Sequence, residues 1–520
     1  MPWLLLLALL AGWCTEYRRP APEIAVGVVF HDKNRDRLRN LGEPGLANIR
    51  VSNGREITLT NAKGAWRLPA PEQGEFFVIK PRGWMTPVKK QGTPLYYYVH
   101  RPQGSPESNY AGSTPTGQLP TSIDFGLVKQ KESDDLRVLM YGDPQPRNHQ
   151  EIQWMKKDVV EECKGFDGSF GMALGDITFN DLSLFEEVAS TLHEVGIPWW
   201  MVVGNHDINF DAPEDRLSNE TFIAAFGPPN YSFDWGPAHF LVLDDVQWIL
   251  PQTGKGHYKA QFSDDALAFS KNDLALVPKD KLVVVAMHIP LRDVSNNQQL
   301  LNQLQEFQHS VSVSGHTHTQ RVDELGVQHG WKKKEPHTHV VHVTACGSWW
   351  SGEIDESRGV PHSTLRDGTP KGWLEWTFTG NQWKFDFRAA GADADQQMHV
   401  TLGELREPKK GTNEKANLPV WVNVWNGDPQ NKVEARLAGT KTWHTLKRKV
   451  EKDPAYLKLF ETESTRRAYG RSWRKLPEAI NSTHLWFGNL SIPRLWEGSL
   501  AVEARVLDRW GRTHQGFGSP

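Results

Sequence analysis

Between residues 136 and 345, short runs of apolar, β-branched residues alternate with longer stretches whose apolar positions recur at helical spacing. "LRVLMYG", "GSFGMALG", "IPWWMVVG", "KLVVVAMH" and "SVSVSG" have the form of strands buried on both faces. "NHQEIQWMKKDVVEECK", "DLSLFEEVASTLHEVG", "SDDALAFSKNDLAL" and "NNQQLLNQLQEFQ" carry the periodicity of helices packed on a sheet. The alternation predicts an α/β core with crossover helices. Residues 20–128 instead read as short strands, "EIAVGVVF", "ANIRVSNG", "REITLTNAKGAWRLP" and "EFFVIKP", with hairpin turns at Asn53-Gly54 and Lys63-Gly64. That pattern predicts a small antiparallel sandwich. From about residue 373, segments such as "GWLEWTFTG", "QWKFDF" and "LPVWVNVWNG" predict a third, β-rich domain. The expected organisation is a leader over 1–19, an N-terminal β-sandwich over 20–128, the α/β domain over 136–350 and a C-terminal β-rich domain over 373–520.

Composition narrows the class. The chain has 520 residues, 38% hydrophobic and 23% charged, with a formal net charge of −3, so it is globular and carries no signature of a nucleic-acid partner. The opening run from Met1 to Cys14 is too short to span a bilayer but has the length of an export-signal core. The expectation is therefore export to the periplasm or cell surface, without a transmembrane span. "LAG" before Cys14 also fits a lipid-anchor signal, against which Trp13 stands where a small residue belongs. Only Cys163 and Cys346 remain, so disulfides are not the main staple.

The candidate chemistry lies where the core runs end. "VLMYG" leads into Asp143-Pro144-Gln145, "FGMALG" into Asp176, "WWMVVG" into Asn205-His206-Asp207, "VVVAM" into His288, and "VSVSG" into His316-Thr317-His318. Any one of these is an ordinary polar turn. Jointly they are metal-ligand types at the carboxyl ends of strands, the edge where sites form in α/β sheets. The ordered pattern resembles the calcineurin-like metallophosphoesterase superfamily. "LGDITFNDLSLFEE", "ACGSWWSGEIDE", "PHSTLRDGTPKGW" and "VEARVLDRWGRT" further resemble a bacterial branch with flanking N-terminal and C-terminal β domains. The resemblance implies a central metallophosphoesterase sandwich between those domains. It also implies that Asp143, Gln145, Asp176 and His318 hold one metal and that Asp176, Asn205, His288 and His316 hold the second. These donors suit Mn, Fe, Zn or Co, and two such cations would activate a bridging hydroxide for attack on a phosphate mono- or diester. His206 would act on the leaving-group side, oriented by Asp181 or Asp207 if it needs a carboxylate. Two departures stand out: most relatives have His where Gln145 stands, and many have a carboxylate where this chain has Phe179.

Other readings are more open. "DKNRDRLRNLGE" places Asp32, Asn34, Asp36, the Leu38 carbonyl, Asn40 and Glu43 at the ligand positions of a calcium loop, with Arg37 where that loop normally has Gly. The stretch also resembles the B-type repeats of bacterial surface adhesins, and a solvated polar hairpin is the competing reading. Trp349 and Trp350 could stack on a sugar, base or lipid headgroup, or buttress their loop. His257 and Tyr258 could contact phosphate, whereas His337, His339 and His342 read as structural. The substrate would be a phosphate ester, sugar- or lipid-linked, with the monoester and diester both open. The competing function is a surface glycan-binding protein carrying a degenerate phosphoesterase domain.

Overall fold

The computed structural model describes residues 23–407, 415–468, 472–492 and 500–519. The leader with Cys14 lies outside them. No described helix is long and apolar enough to cross a membrane.

The apolar runs of the middle region form strands, divided between the two sheets of a sandwich. The first sheet runs Trp199–Val202, Phe170–Leu174, Asp135–Tyr141, Gly372–Thr379, Gln382–Ala389. Its first three strands are parallel and the last two antiparallel. The second runs Tyr231–Trp235, Ala238–Val242, Leu282–Ala286, His309–Ser314, His337–Val341, Arg321–Leu325, parallel through its four middle strands. Residues alternate along each strand of the first sheet. Val138 and Met140 face the second sheet in one core, while Leu139 and Tyr141 face helices His149–Met155 and Phe185–His193 in another. Burial on both faces explains why these runs are almost wholly apolar.

The third domain begins later than the sequence suggests. Gly372–Thr379 pairs with Asp135–Tyr141 from Leu374↔Met140 to Thr379↔Asp135, so "GWLEWTFTG" and "QWKFDF" complete the first sheet of the middle domain. Antiparallel strands with one exposed end read alike in either domain, and only the pairing decides. The remaining C-terminal strands build two four-stranded sheets around their own core, and an unanticipated helix, Pro454–Ala468, connects two neighbouring strands of one of them, Lys447–Lys452 and Asn481–Ile492.

The N-terminal region forms two four-stranded sheets, antiparallel as its turn spacing predicts except where Ile24–His31 pairs with Phe125–Lys129 in parallel. Asn53-Gly54 closes a hairpin between Arg50–Ser52 and Ile57–Leu59. Lys63-Gly64 does not: it turns the chain from Ile57–Leu59 in one sheet to Ala65–Pro69 in the other. Val29, Trp66, Phe76 and Phe77 share a continuous core with Trp200, Phe233 and Phe269. This domain is thus packed into the middle one.

Candidate metal centre

Five parallel strands of the two sheets, Asp135–Tyr141, Phe170–Leu174, Trp199–Val202, Leu282–Ala286 and His309–Ser314, lead into loops that carry the candidate ligands. All seven predicted ligands meet there. His318 Nε2 lies 3.3 Å from Asp143 Oδ2, and the His316 N–H donates to Asp143 Oδ1 at 2.9 Å. His316 Nδ1 is 3.2 Å from His288 Nε2, which lies 3.3 Å from Asp176 Oδ1 and 3.0 Å from Asn205 Oδ1. Gln145 Nε2 donates to Asp176 Oδ2 at 2.7 Å. The amide nitrogen is therefore the end of Gln145 turned inward, and ligation through Oε1 requires the amide to turn over.

Close backbone approach makes this possible. A Cβ on Gly315 would sit 2.1 Å from Asp143 Oδ1, and one on Gly204 would sit 2.3 Å from Asp176 Oδ1. Asp143, Gln145, Asp176, His316 and His318 all adopt positive φ, between 33° and 74°, although none is glycine. Such backbone strain concentrates at functional sites.

The electrostatics fit a cation. Asp143 and Asp176 are buried, and among the described residues neither has a Lys or Arg partner; only imidazoles, an amide and backbone N–H groups face them. A buried carboxylate is costly without a cationic partner; in the metal-free site the imidazoles of His288 and His318 take that part, and bound cations would take it in their place. Burial opposes charge on His288, but the Asp176 and Asp143 carboxylates outweigh it and push that imidazole up to about 10. Burial opposes His318 likewise, and the Cys346 sulfur with Asp143 pushes it up to about 10. Burial and the neighbouring His288 hold His316 down to about 4. Asp176, His288 and His316 offer ligand atoms within 4.8 Å of one another. His288 Nδ1 donates to the Leu174 carbonyl at 2.9 Å and His318 Nδ1 to the Gly347 carbonyl at 2.5 Å, which turns both Nε2 atoms inward.

A "Calcineurin-like phosphoesterase" family model matches residues 136–320, and models for the N terminal and C terminal of calcineurin-like phosphoesterase match 32–112 and 339–514. The chain belongs to the calcineurin-like phosphoesterase family. As a calcineurin-like phosphoesterase it is a metal-dependent phosphoric ester hydrolase. Among solved structures it is similar to the purple acid phosphatase PPD1 from yellow lupin (Lupinus luteus) seeds, at 13% identity over 71% of this chain and 67% of that one, with a TM-score of 0.35. No curated protein matches the chain.

Around the ligands, this calcineurin-like phosphoesterase departs from several expectations. Asp207 is fully buried behind the site, where it accepts backbone N–H groups from Ile177 (3.0 Å), Thr178 (3.0 Å) and Gly204 (2.9 Å). Burial and the charge of Asp176 push its carboxyl up to about 8. It braces two ligand loops and does not orient His206. Asp181 does not orient it either, since its carboxylate caps Leu182–Leu184 through Ser183. The His206 Nδ1 partner is Asn180 Oδ1 at 2.5 Å, and Phe179 stacks on the imidazole at 4.2 Å. Burial lowers the pKa of His206 against the pull of Asp176.

The two tryptophans part company. Trp350 is buried and donates Nε1–H to the Pro144 carbonyl, so it offers no face to a substrate. Trp349 is half-buried and stacks on His318 at 3.9 Å. Tyr258 meets the His316 ring edge-on at 6.1 Å, whereas His257, next to it on an antiparallel strand, points to the opposite side. His337 and His339 are buried in a ladder with Ser310, Ser312 and Ser314, and His342 accepts from Trp376 Nε1.

The sequence reading missed Asp245, which accepts from the N–H groups of His288 and Ile289. The run "HFLVLDD" ends as the other core strands do, and that signal would have found it. In the N-terminal loop, Asp32 accepts from Arg35 and Arg37, Asp36 from Leu38 and from the amides of Asn34 and Asn40, and Glu43 from Lys33 and Asn40. Arg37 makes, at φ 67°, the left-handed turn for which such loops use Gly.

Proposed function

We propose that this chain hydrolyses phosphate mono- or diesters at a two-cation centre in which Asp176 is shared. One cation is held by Asp143, Gln145, Asp176 and His318, and the other by Asp176, Asn205, His288 and His316. The observation that carries the reading is the pair of buried carboxylates, Asp143 and Asp176, clustered with the imidazoles of His288, His316 and His318 and the amides of Gln145 and Asn205, and paired with no Lys or Arg among the described residues. Mixed carboxylate, amide and imidazole donors suit Mn, Fe, Zn or Co. Bound cations of this kind supply charge neutralisation of phosphoryl oxygens and acidification of a water.

The chain's own groups do the rest. His206 projects beside Asp176, with Nδ1–H held by Asn180 and its ring held by Phe179, so Nε2 is the atom free to give a proton to a departing oxygen when the ring is in its imidazolium form. Trp349 and Tyr258 wall the opening and could stack on a sugar or lipid headgroup. Export to the periplasm or cell surface, with Cys14 as lipid anchor in the anchored form, rests on the leader's apolar run alone. Calcium in the 32–43 loop rests on its oxygen-rich spacing.

The test is hydrolysis of p-nitrophenyl phosphate and bis-p-nitrophenyl phosphate by the manganese-loaded protein, with metal content measured alongside. Asp176→Ala should lose both metals and all turnover, whereas Gln145→Ala should loosen one. Two tightly held ions in Asp176→Ala would refute the shared-ligand assignment, and inactivity of the fully loaded native protein on both esters would favour a binding module.

A further inference from the structure

Two guanidinium groups stand at the rim of this centre, one from each of two domains. Arg147 lies on the loop after Gln145. Arg474 lies in the C-terminal domain, between helix Pro454–Ala468 and strand Asn481–Ile492. Both donate to the same acceptor, the Trp349 carbonyl, Arg147 Nη1 at 3.1 Å and Arg474 Nη1 at 2.5 Å. Both also share one carboxylate. Glu151 lies 2.8 Å from Arg474 Nη2 and 3.6 Å from Arg147 Nη1, and it accepts the Arg147 backbone N–H at 2.8 Å.

One carboxylate against two guanidiniums leaves a positive charge unmatched, on side chains 24% and 39% exposed. Nε and Nη2 of Arg147 make no hydrogen bond to a described residue. Position connects the pair to the chemistry. The Arg147 guanidinium lies 3.9 Å over the Phe179 ring, whose other face stacks on His206, so a single aromatic ring separates it from the proposed proton donor. Trp349, whose carbonyl both arginines hold, stacks on His318.

We propose that Arg147 and Arg474 form an anion subsite that takes a second anionic group, a carboxylate or a phosphate, carried on the leaving group of the ester. The inference rests on the phosphoesterase reading and specifies its substrate class. A guanidinium fork matches either anion with paired N–H donors, and a fixed pair of forks beside the leaving-group side recognises charge that a simple alkyl or aryl phosphate lacks. It also gives the C-terminal domain a part in the site: the Gly352 N–H donates to the Arg474 carbonyl at 2.8 Å, and Trp473 Nε1 donates to Glu463, which accepts from the Glu353 N–H and pairs with His362.

The experiment uses two non-hydrolysable ligands, 4-carboxybenzylphosphonate and its neutral 4-carbamoyl analogue, titrated calorimetrically into the manganese-loaded full chain. The native protein should bind the carboxylate about tenfold more tightly, the discrimination expected of hydrogen bonds to a charged group. Arg147→Gln and Arg474→Gln should each shrink that ratio, and Arg474→Lys should keep part of it. If Arg474→Gln loosens the C-terminal domain, seen as a lowered melting temperature, Arg147→Gln and Arg474→Lys still decide. Equal affinities in the native protein, or a preference that survives in both Gln variants, overturn the subsite. If neither phosphonate binds, the phosphoryl site itself falls and the subsite with it.

Discussion

Asp207 offers the sharpest test of how the centre is built. A carboxylate beside His206 invites a chemical role, yet its oxygens face three backbone amides. Oδ2 accepts from Ile177 and Gly204, and Oδ1 from Thr178. Ile177 and Thr178 follow Asp176, and Gly204 precedes Asn205, so one side chain ties together two loops that carry proposed ligands. Asp207→Ala would leave three buried donors without an acceptor. At about 1–3 kcal/mol per orphaned donor, the loss is on the order of 3–9 kcal/mol before water enters the gap. Asp207→Asn keeps its oxygen toward two of the amides and turns an NH2 group against the third, so its cost is about 1–3 kcal/mol. Hydrogen exchange read by mass spectrometry on peptides spanning 170–180 and 199–208 should show protection lost in the Ala variant and partly kept in the Asn variant. Metal content should fall in the same order. An Ala variant that keeps its metals, its protection and its melting temperature, but loses a hundredfold or more in turnover, would put Asp207 in the chemistry and refute the brace.

Three further outcomes are expected. His206→Ala should keep both metals and lose about 10²–10⁴-fold in rate, most on alkyl phosphates whose poor leaving groups need a proton; Asn180→Ala should show a weaker version of the same leaving-group dependence, and equal losses on alkyl and p-nitrophenyl esters would remove the general-acid role. Calcium at millimolar concentration should slow hydrogen exchange over residues 32–43 of the full chain by binding the folded loop, and an unchanged exchange pattern would leave a polar loop held by its own hydrogen bonds. Burial holds His337 and His342 down to about 3 and His339 well below its ordinary value, so the unfolded chain binds more protons than the folded one below pH ~6.5. Their contribution is complete above that pH and is lost as the pH falls toward 3, at up to about 1.4 kcal/mol per histidine per pH unit. Melting of the metal-free protein should drop over that window, and His342→Gln should flatten the drop.

The cluster of proposed metal ligands was legible because each lies where an apolar run ends in polar residues, a signal that survives ignorance of the fold. How the runs divide was not. "KLVVVAMH" and "IPWWMVVG" are equally apolar, and nothing along the chain says that one joins the first sheet and the other the second. The braces were less legible still. Asn180, Asp207 and Asp245 act on backbone amides or imidazoles brought to them by folding, so their roles depend on distances no spacing encodes. Trp349 and Trp350 show the limit most plainly: adjacent and chemically identical, one stacks on His318 and the other is sealed in the core. The arginine pair was invisible for a related reason, since 327 positions of chain separate its members and only domain packing joins them on Glu151 and Trp349.

Those braces answer a physical need. Five of the seven proposed ligands hold left-handed backbone, and so do Trp349 and Trp350, for which that conformation is rare. At about 1–3 kcal/mol each, the strain is comparable to the whole stability of an ordinary domain, so it persists only where the surroundings over-determine it. Here they do. Asp143 receives the His316 N–H, Asp176 receives the His206 N–H, and the Gln145 N–H donates to the Asp176 carbonyl, so each strained loop is hydrogen-bonded to another loop of the same site. The ligand carboxylates thus have two tasks, and the first is to hold one another's backbones. With two buried carboxylates faced by imidazoles and by no Lys or Arg, the same folding that accumulates strain also gathers donors of metal-ligand type. A centre built this way is rigid before substrate arrives, which is what fixed alignment of a phosphoryl group requires.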